Sequence, residues 1–384
     1  MDESVERAPR TSLWEIARVF LRLGVVSFGG PAAHVALMEE EIVRRRRWLT
    51  REAFLDLLGA ANLIPGPNST ELAIHVGYAR AGWPGLLVAG LCFIVPAAVI
   101  VAALAWGYVR YGSLPAISGI LAGVKPVVIA VVAQAIWNLG RGVLASRAAL
   151  ALGIACIIAA ALGVHELALL AAAGVVMWVV VTWRRSSGGA RSRAIGVTAF
   201  PTLVTVAAAP AAFTLGGLFL VFVKIGSVLF GSGYVLLAFL RADFVVRLGW
   251  LTERQLLDAV AVGQVTPGPV FTTATFVGYL LGGATGAVVA TIGIFLPAFV
   301  FVAASGPLLP FVRRSAGARA VLDGVNVASL ALMAVVTIQL ARSALAGPVG
   351  IALAAASAVA LMRFEVSAAW LVLAGALVGL VGMR

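Results

Sequence analysis

The sequence predicts an all-α, polytopic membrane protein built from two homologous repeats. Of its 384 residues, 62% are hydrophobic and only 11% charged, where a soluble domain carries about 25% charged residues. Long apolar runs recur along the whole chain, and a helix needs about 20 such residues to cross a bilayer core. One long stretch also repeats another nearly without gaps. At about 20 residues per span plus short loops, about 10 to 13 crossing or half-crossing segments fit.

The repeat comes first. Residues 20–67 match residues 222–269 at a constant offset of 202. Phe20, Gly24, Phe28 and Gly29 fall on Phe222, Gly226, Phe230 and Gly231. Trp48 and Thr50 fall on Trp250 and Thr252, Asp56 on Asp258, and Pro65-Gly66-Pro67 on Pro267-Gly268-Pro269. One residue is then lost, so that Gly77, Pro96 and Gly123 meet Gly278, Pro297 and Gly324 at an offset of 201. Chance does not keep register over such a length.

The apolar pattern then predicts helices over 13–36, 52–80, 84–109, 115–140, 147–164 and 166–183 in the first half. In the second half it predicts 214–240, 254–283, 285–310, 319–341, 345–362 and 366–383. The chain divides into a first repeat, 1–183, a basic linker with room for one extra span, 184–212, and a second repeat, 213–384. Thr50 and Thr252 read as helix N-caps, and Thr252 to Gln255 has capping-box spacing. Trp48 and Trp250 just before them suit a membrane interface.

The formal net charge is +12, from 28 Lys and Arg against 16 Asp and Glu. The arginines sit mostly in short loops between apolar runs, which is how membrane proteins set orientation. No aromatic platform lies beside a basic stripe, so nucleic-acid binding is not expected. After the first helix, repeat one carries Arg44, Arg45, Arg46 and Arg47, whereas repeat two carries Arg247 with Asp243. After the third helix the bias reverses, with Arg110 against Arg313, Arg314 and Arg319. Equivalent loops of opposite bias face opposite sides, which predicts inverted repeats. An extra crossing within 194–212 would produce that inversion.

Cys92, Cys156 and three histidines make no metal spacing, so neither metal nor cofactor is expected. No GxxxxGK[ST] motif is present, and no nucleophile with its base stands out, so the chain reads as neither an ATPase nor another enzyme.

Both PGP motifs interrupt apolar helices. Proline removes an N–H and clashes with the preceding turn, while glycine allows backbone geometry that a helix forbids. Broken helices at membrane depth are tolerated only inside protein or beside a water-filled cavity. Matched interruptions in two halves point to a transport site. The half-helices beginning at Asn68 and Val270 aim free N–H groups at the break, and such ends favour anions. Candidate binding residues there are Asn62, Pro65, Gly66, Pro67, Asn68 and Ser69, and Gln264, Pro267, Gly268, Pro269 and Thr272. Gly29, Gly30 and Gly231 mark a second duplicated break, which reads either as a re-entrant hairpin or as close helix packing.

Ionisable groups inside a membrane are functional candidates by default. Lys125 is taken as a binding cation, its repeat counterpart being Asn326. Arg22 and Lys224 are read as snorkelling to the interface. Glu71 and His75 stand four apart on one helix face and are candidates for coupling by proton uptake and release. Asp56 and Asp258 read as structural partners of loop basic groups.

In these segments the sequence resembles the chromate ion transporter (CHR) family in its long two-domain form. FLRLGVVSFGGPAAH, RRRRWLTREAFLDLL and NLIPGPNSTELAIHVGY carry the likeness in the first half. FGSGYVLLAFLRADFVVRLGWLTERQLLDAVAVGQVTPGPVFTTATFVGY and GIFLPAF carry it in the second. The resemblance implies export of chromate by a secondary transporter, with sulfate as a similar competitor or counter-substrate. It implies a multi-pass protein of the bacterial inner (plasma) membrane whose partners are a small inorganic oxyanion and the lipid bilayer. A homodimer is among the assemblies that the reading allows. An anion channel, or a carrier for another small anion, is the alternative. The sequence departs from the family pattern at Asn62, where glutamine is expected, and at the acidic Glu71.

Overall fold

The computed structural model describes residues 11–28, 30–112, 114–186, 212–230, 233–345, 347–364 and 366–382. Gly29, Gly231 and the segment 194–211, with its expected extra span, lie outside them. Among the described residues all regular structure is helical. The first repeat runs through α1 (Leu13–Val26), α2 (Pro31–Met38), α3 (Arg51–Ala61), α4 (Asn68–Tyr111), α5 (Pro115–Val143), α6 (Arg147–Ala161) and α7 (Glu166–Ser186). The second runs through α8 (Leu215–Val228), α9 (Leu236–Leu240), α10 (Glu253–Val265), α11 (Thr273–Arg314), α12 (Ala316–Ala344), α13 (Pro348–Phe364) and α14 (Ala368–Gly382). Five of the described helices are long and apolar enough to cross a membrane.

The predicted helix 13–36 stops at Val26, and 214–240 stops at Val228. Ser27 is extended, and Gly30 sits at φ 82°, a conformation that glycine adopts without cost. From there α2 and a π-helical turn over Glu39–Arg45 lead back, and Arg46 reaches Glu15 in the first turn of α1 at 2.7 Å. Residues 13–46 therefore form a hairpin that enters and leaves on one side.

The next segment does the same. Arg80 donates to the Trp48 carbonyl at 2.9 Å and to the Thr11 hydroxyl at 2.8 Å. The chain from 51 to 80 thus returns to the side it left, with the PGP motif at its tip. α4 then reverses at Ala81 and Gly82, and its two legs pack closely where Gly77 faces Gly85 and Ala89. A Cβ at Gly77 would fall 2.5 Å from that of Ala89. The second half repeats this reversal at Gly282 and Gly283, with Gly278 against Gly286.

The caps form as predicted. Thr50 accepts from the Ala53 N–H, and Thr252 with Gln255 makes a full capping box. Trp48 is only 7% exposed and lies beneath the Arg46 and Arg80 guanidinium groups.

Beyond the hairpins the two halves exchange helices. α5 of the first half packs against α13 and α14 of the second, and α12 packs against α6 and α7 of the first. Small residues permit these close seams. Gly123 meets Gly375 and Gly379, and Gly324 meets Ala173 and Gly174. Gly119 contacts Gly379 while Gly123 contacts Gly375, so α14 runs antiparallel to α5.

One duplicated pair was not expected. Lys224 contacts Asp243 at 2.5 Å and Arg247 contacts it at 2.8 Å, while Glu166 lies 3.6 Å from Lys224. In the first half Arg22 faces Glu41 at 3.8 Å. The Arg22 side chain is 61% exposed, whereas Lys224 is 25% exposed and has the buried Asp243 as its counter-ion.

Candidate functional site

The hairpin tips of the two repeats dock on each other. The Gly66 N–H donates to the Leu229 carbonyl, and the Gly268 N–H donates to the Ser27 carbonyl, both at 2.8 Å. Leu229 and Ser27 are matched positions that end α8 and α1. Each PGP tip is therefore held by the first hairpin of the other repeat. Glycine is needed at both positions. Gly66 has φ 137° and Gly268 φ 82°. A Cβ at Gly268 would lie 2.5 Å from the Ala97 Cβ, and one at Gly66 would overlap the Glu71 carboxyl.

Where the tips meet, they enclose a cavity of about 520 Å³. Pro31 and Ala32 come from the first tip, and Asn62, Pro67, Asn68 and Ser69 from the second. Phe230, Gly233, Val270 and Phe271 come from the tips of the other repeat. α5 supplies Gln134 and Asn138, and α12 supplies Asn326 and Ser329. All of these side chains are neutral. α4 begins here at Asn68 with no side-chain cap; the Thr70 and Glu71 N–H groups donate to the Pro67 carbonyl, which leaves those of Asn68 and Ser69 to face the cavity. The helix dipole adds positive potential at the same point.

The polar groups are only partly engaged with one another. The Asn68 amide donates to the Asn62 oxygen at 2.5 Å, and Ser69 shares a 3.2 Å hydrogen bond with His34. Gln134 donates to the Leu361 carbonyl at 3.0 Å. Ser329 is 2% exposed, and neither its hydroxyl oxygen nor the Asn326 amide oxygen has a hydrogen-bond partner among the described residues. The cavity thus offers hydroxyl, amide and helix-end groups to a small polar solute.

Of the residues predicted from sequence, Asn62, Pro67, Asn68 and Ser69 line this cavity. Gly30 precedes Pro31 at its edge, and Pro65, Gly66, Pro267, Gly268 and Pro269 shape the tips behind it. Others lie elsewhere. Gln264 lines a separate hollow of about 10 Å³ with Thr273 and Val132. The Thr272 hydroxyl donates to the Pro269 carbonyl and that of Thr273 to the Val270 carbonyl, each at 2.8 Å, so both are turned into their own backbone. Glu71 is wholly buried against Gly66, without a hydrogen-bond partner for either carboxyl oxygen among the described residues. His75 is 7% exposed on the same helix.

Lys125 lies away from the cavity wall and pairs with Asp258 at 2.9 Å. The other Asp258 oxygen accepts from the Tyr108 hydroxyl at 2.8 Å. Asp258, expected to serve a loop, is therefore a fully buried counter-ion inside the helical bundle, whereas its repeat counterpart Asp56 is exposed. Sequence reasoning missed Gln134, Asn138 and Ser329 as cavity residues. The available signal was spacing, since Gln134 and Asn138 stand four apart and Asn326 and Ser329 three apart in otherwise apolar helices.

The sequence profile of the chromate transporter family matches residues 14–178 and again residues 216–380. The chain belongs to the chromate transporter family. The two matches fall one on each repeat, as in the two-domain form of these transporters. The transporter is 32% identical over 384 residues to a chromate transport protein of Cupriavidus metallidurans, covering 98% of this chain and 95% of that one. It is 33% identical over 345 residues to one from Pseudomonas aeruginosa, covering 87% and 82% of the two chains. It is 32% identical over 342 residues to a probable chromate transport protein of Synechococcus elongatus, covering 88% and 86%. No solved structure matches. Family and helices together make this a multi-pass membrane protein.

Proposed function

We propose that this protein is a secondary transporter that exports an inorganic oxyanion, chromate above all, across a bacterial inner membrane, with sulfate as competitor or counter-substrate. The observation that carries this reading is the neutral, donor-bearing cavity at the joined hairpin tips, with the N-terminus of α4 opening into it. A tetrahedral dianion presents acceptor oxygens in every direction. Helix-end N–H groups, Asn68, Ser69 and Ser329 meet it without a full counter-charge in the wall. Weak, distributed contacts suit a carrier, which must release what it binds. The named function of three relatives points the same way.

The inverted arrangement of the repeats belongs to this proposal. It is supported by Tyr108, near the far end of α4, meeting Asp258, near the start of α10. The antiparallel run of α14 along α5 supports it too. Inversion lets one half rock against the other around a fixed midplane site.

Coupling is assigned to Glu71 and His75. A buried carboxyl beside the tip glycine Gly66 can take up a proton in one facing state and release it in the other. Flux into vesicles, with chromate as substrate and sulfate, molybdate and phosphate as competitors, tests the whole reading. Saturable chromate flux with counterflow is expected, and absence of any oxyanion flux defeats it. Purely dissipative flux would favour a channel. Glu71→Gln is expected to flatten the pH dependence of transport, and an unchanged profile removes the coupling role.

A further inference from the structure

Two smaller hollows border the main cavity. On one side it shares Val143 and Asn326 with a second hollow of about 310 Å³. That hollow is walled by Ser146, Ala149, Met177 and Asp323 and lies at the exposed loop between α5 and α6. This is the mouth. On the other side the cavity shares Gly233 and Val270 with the small hollow that holds Gln264, Thr273, Val132 and Val260. Further along the same two helices stand Lys125 on α5 and Asp258 on α10, paired with each other. Lys125 is seven residues, two turns, before Val132 on the same helix face, and Asp258 is two residues before Val260.

We infer that Lys125 is a second anion station on the transport path, shut in this conformation by Asp258 and Tyr108. The inference rests on the reading of the cavity as an oxyanion site. Asp258 is wholly buried, Lys125 is 12% exposed, and Tyr108 fixes the second carboxylate oxygen. The carboxylate thus occupies the place that an arriving anion needs, as a tethered competitor. The cluster joins α4 and α5 of one repeat to α10 of the other, so it holds the halves together on the side away from the mouth. When the halves rock apart there, Lys125 exchanges the carboxylate for the anion and passes it outward.

The matched positions on the mouth side fit this picture. The counterpart of Lys125 is Asn326, which lines both the cavity and the mouth. The counterpart of Asp258 is Asp56, which is exposed. The cation station exists on one side only, and that side is closed.

The test reads sidedness as well as flux. In full-length protein with Cys92→Ser and Cys156→Ala, a Val260→Cys substitution places a reporter in the small hollow. Vesicles of known orientation are labelled from each side with a membrane-impermeant thiol reagent. Adding Lys125→Asn or Asp258→Asn is expected to raise labelling from the side opposite the mouth by at least about tenfold, since each removes the bias toward closure. Lys125→Asn installs the residue that the other repeat already carries. Tyr108→Phe, which keeps both charges, is expected to give a smaller rise, and it decides the matter if the charge variants do not accumulate. Unchanged labelling overturns the gate, whatever the substrate. The exchange Lys125→Asp with Asp258→Lys separates station from latch. It is expected to restore closure while chromate flux stays about tenfold down, because an anion loses a charged hydrogen-bond donor at that position. Full recovery of flux would overturn the anion station. Loss of chromate flux in the parent protein would count against the proposed function and leave the labelling result to stand on its own.

Discussion

The two halves place the same hairpins around the cavity and put different chemistry on them. At the first PGP tip, Asn62, Asn68 and Ser69 face the cavity. At the second, the Thr272 and Thr273 hydroxyls turn back onto their own backbone, and only Val270 and Phe271 face inward. Glu71 and Lys125 likewise have no charged counterparts. The backbone breaks are kept in both halves because both tips must dock on the other repeat, which is a geometric demand. On the proposed function one set of polar side chains suffices for the solute, which would leave the other half free to bury its own.

The comparison breaks most sharply at the tip glycines. Gly268→Ala is expected to cost ~3 kcal/mol or more, since φ is positive and the Ala97 Cβ and Gly24 carbonyl sit on a packed neighbour. Gly66→Ala meets instead the end of the Glu71 side chain, which can shift, and is expected to cost less. Thermal unfolding in detergent would measure both, and equal losses would erase the difference between the tips.

The acid–base pairs give the next effect. Asp243→Asn removes the nearer of the two carboxylates beside Lys224, leaving only Glu166 at 3.6 Å, and is expected to destabilise by ~2 kcal/mol. Arg22→Gln, at the matched and largely exposed position, should stay under ~1 kcal/mol in the same assay. The cavity side chains sharpen the contrast in transport itself. Ser69→Ala is expected to lower chromate flux about tenfold, and Thr272→Val about twofold at most, since only the first hydroxyl meets the solute. The reverse order would put the binding chemistry in the wrong half.

Much of this architecture was legible in the chain. The repeat, the helix breaks at Pro65–Pro67 and Pro267–Pro269, and the caps at Thr50 and Thr252 are local and appear twice. The reversal at Ala81 and Gly82 was legible too, as a gap between predicted helices, whereas that at Gly282 and Gly283 fell inside the predicted helix 254–283. What was not legible depends on contacts across the chain. The early stop of α1 at Val26 was legible only as one of two readings of the glycine break, and the contact of Arg46 with Glu15 decides for the hairpin. Asp258 looked like a loop partner because it is duplicated at Asp56, yet its actual partner, Lys125, lies on a distant helix while Asp56 is exposed. Gln134 and Asn138 were passed over as single polar residues in an apolar run, although their spacing of four put them on one face. Lys224 looked like a snorkelling base because its counter-ion is 19 residues away, beyond the reach of helical periodicity.

The exchange of helices between halves has a consequence for how the protein is made. When the ribosome finishes α7, α5 has neither α13 nor α14 to lie against, and the first PGP tip has no Leu229 carbonyl to receive its N–H. The amino-terminal half must wait in the bilayer with an open seam and an unanswered polar tip. Its maturation is then a late, concerted closure that the carboxy-terminal half triggers. A chain truncated after α12 would lack α13 and α14 beside α5 and is expected not to accumulate, which its level in membrane fractions would check.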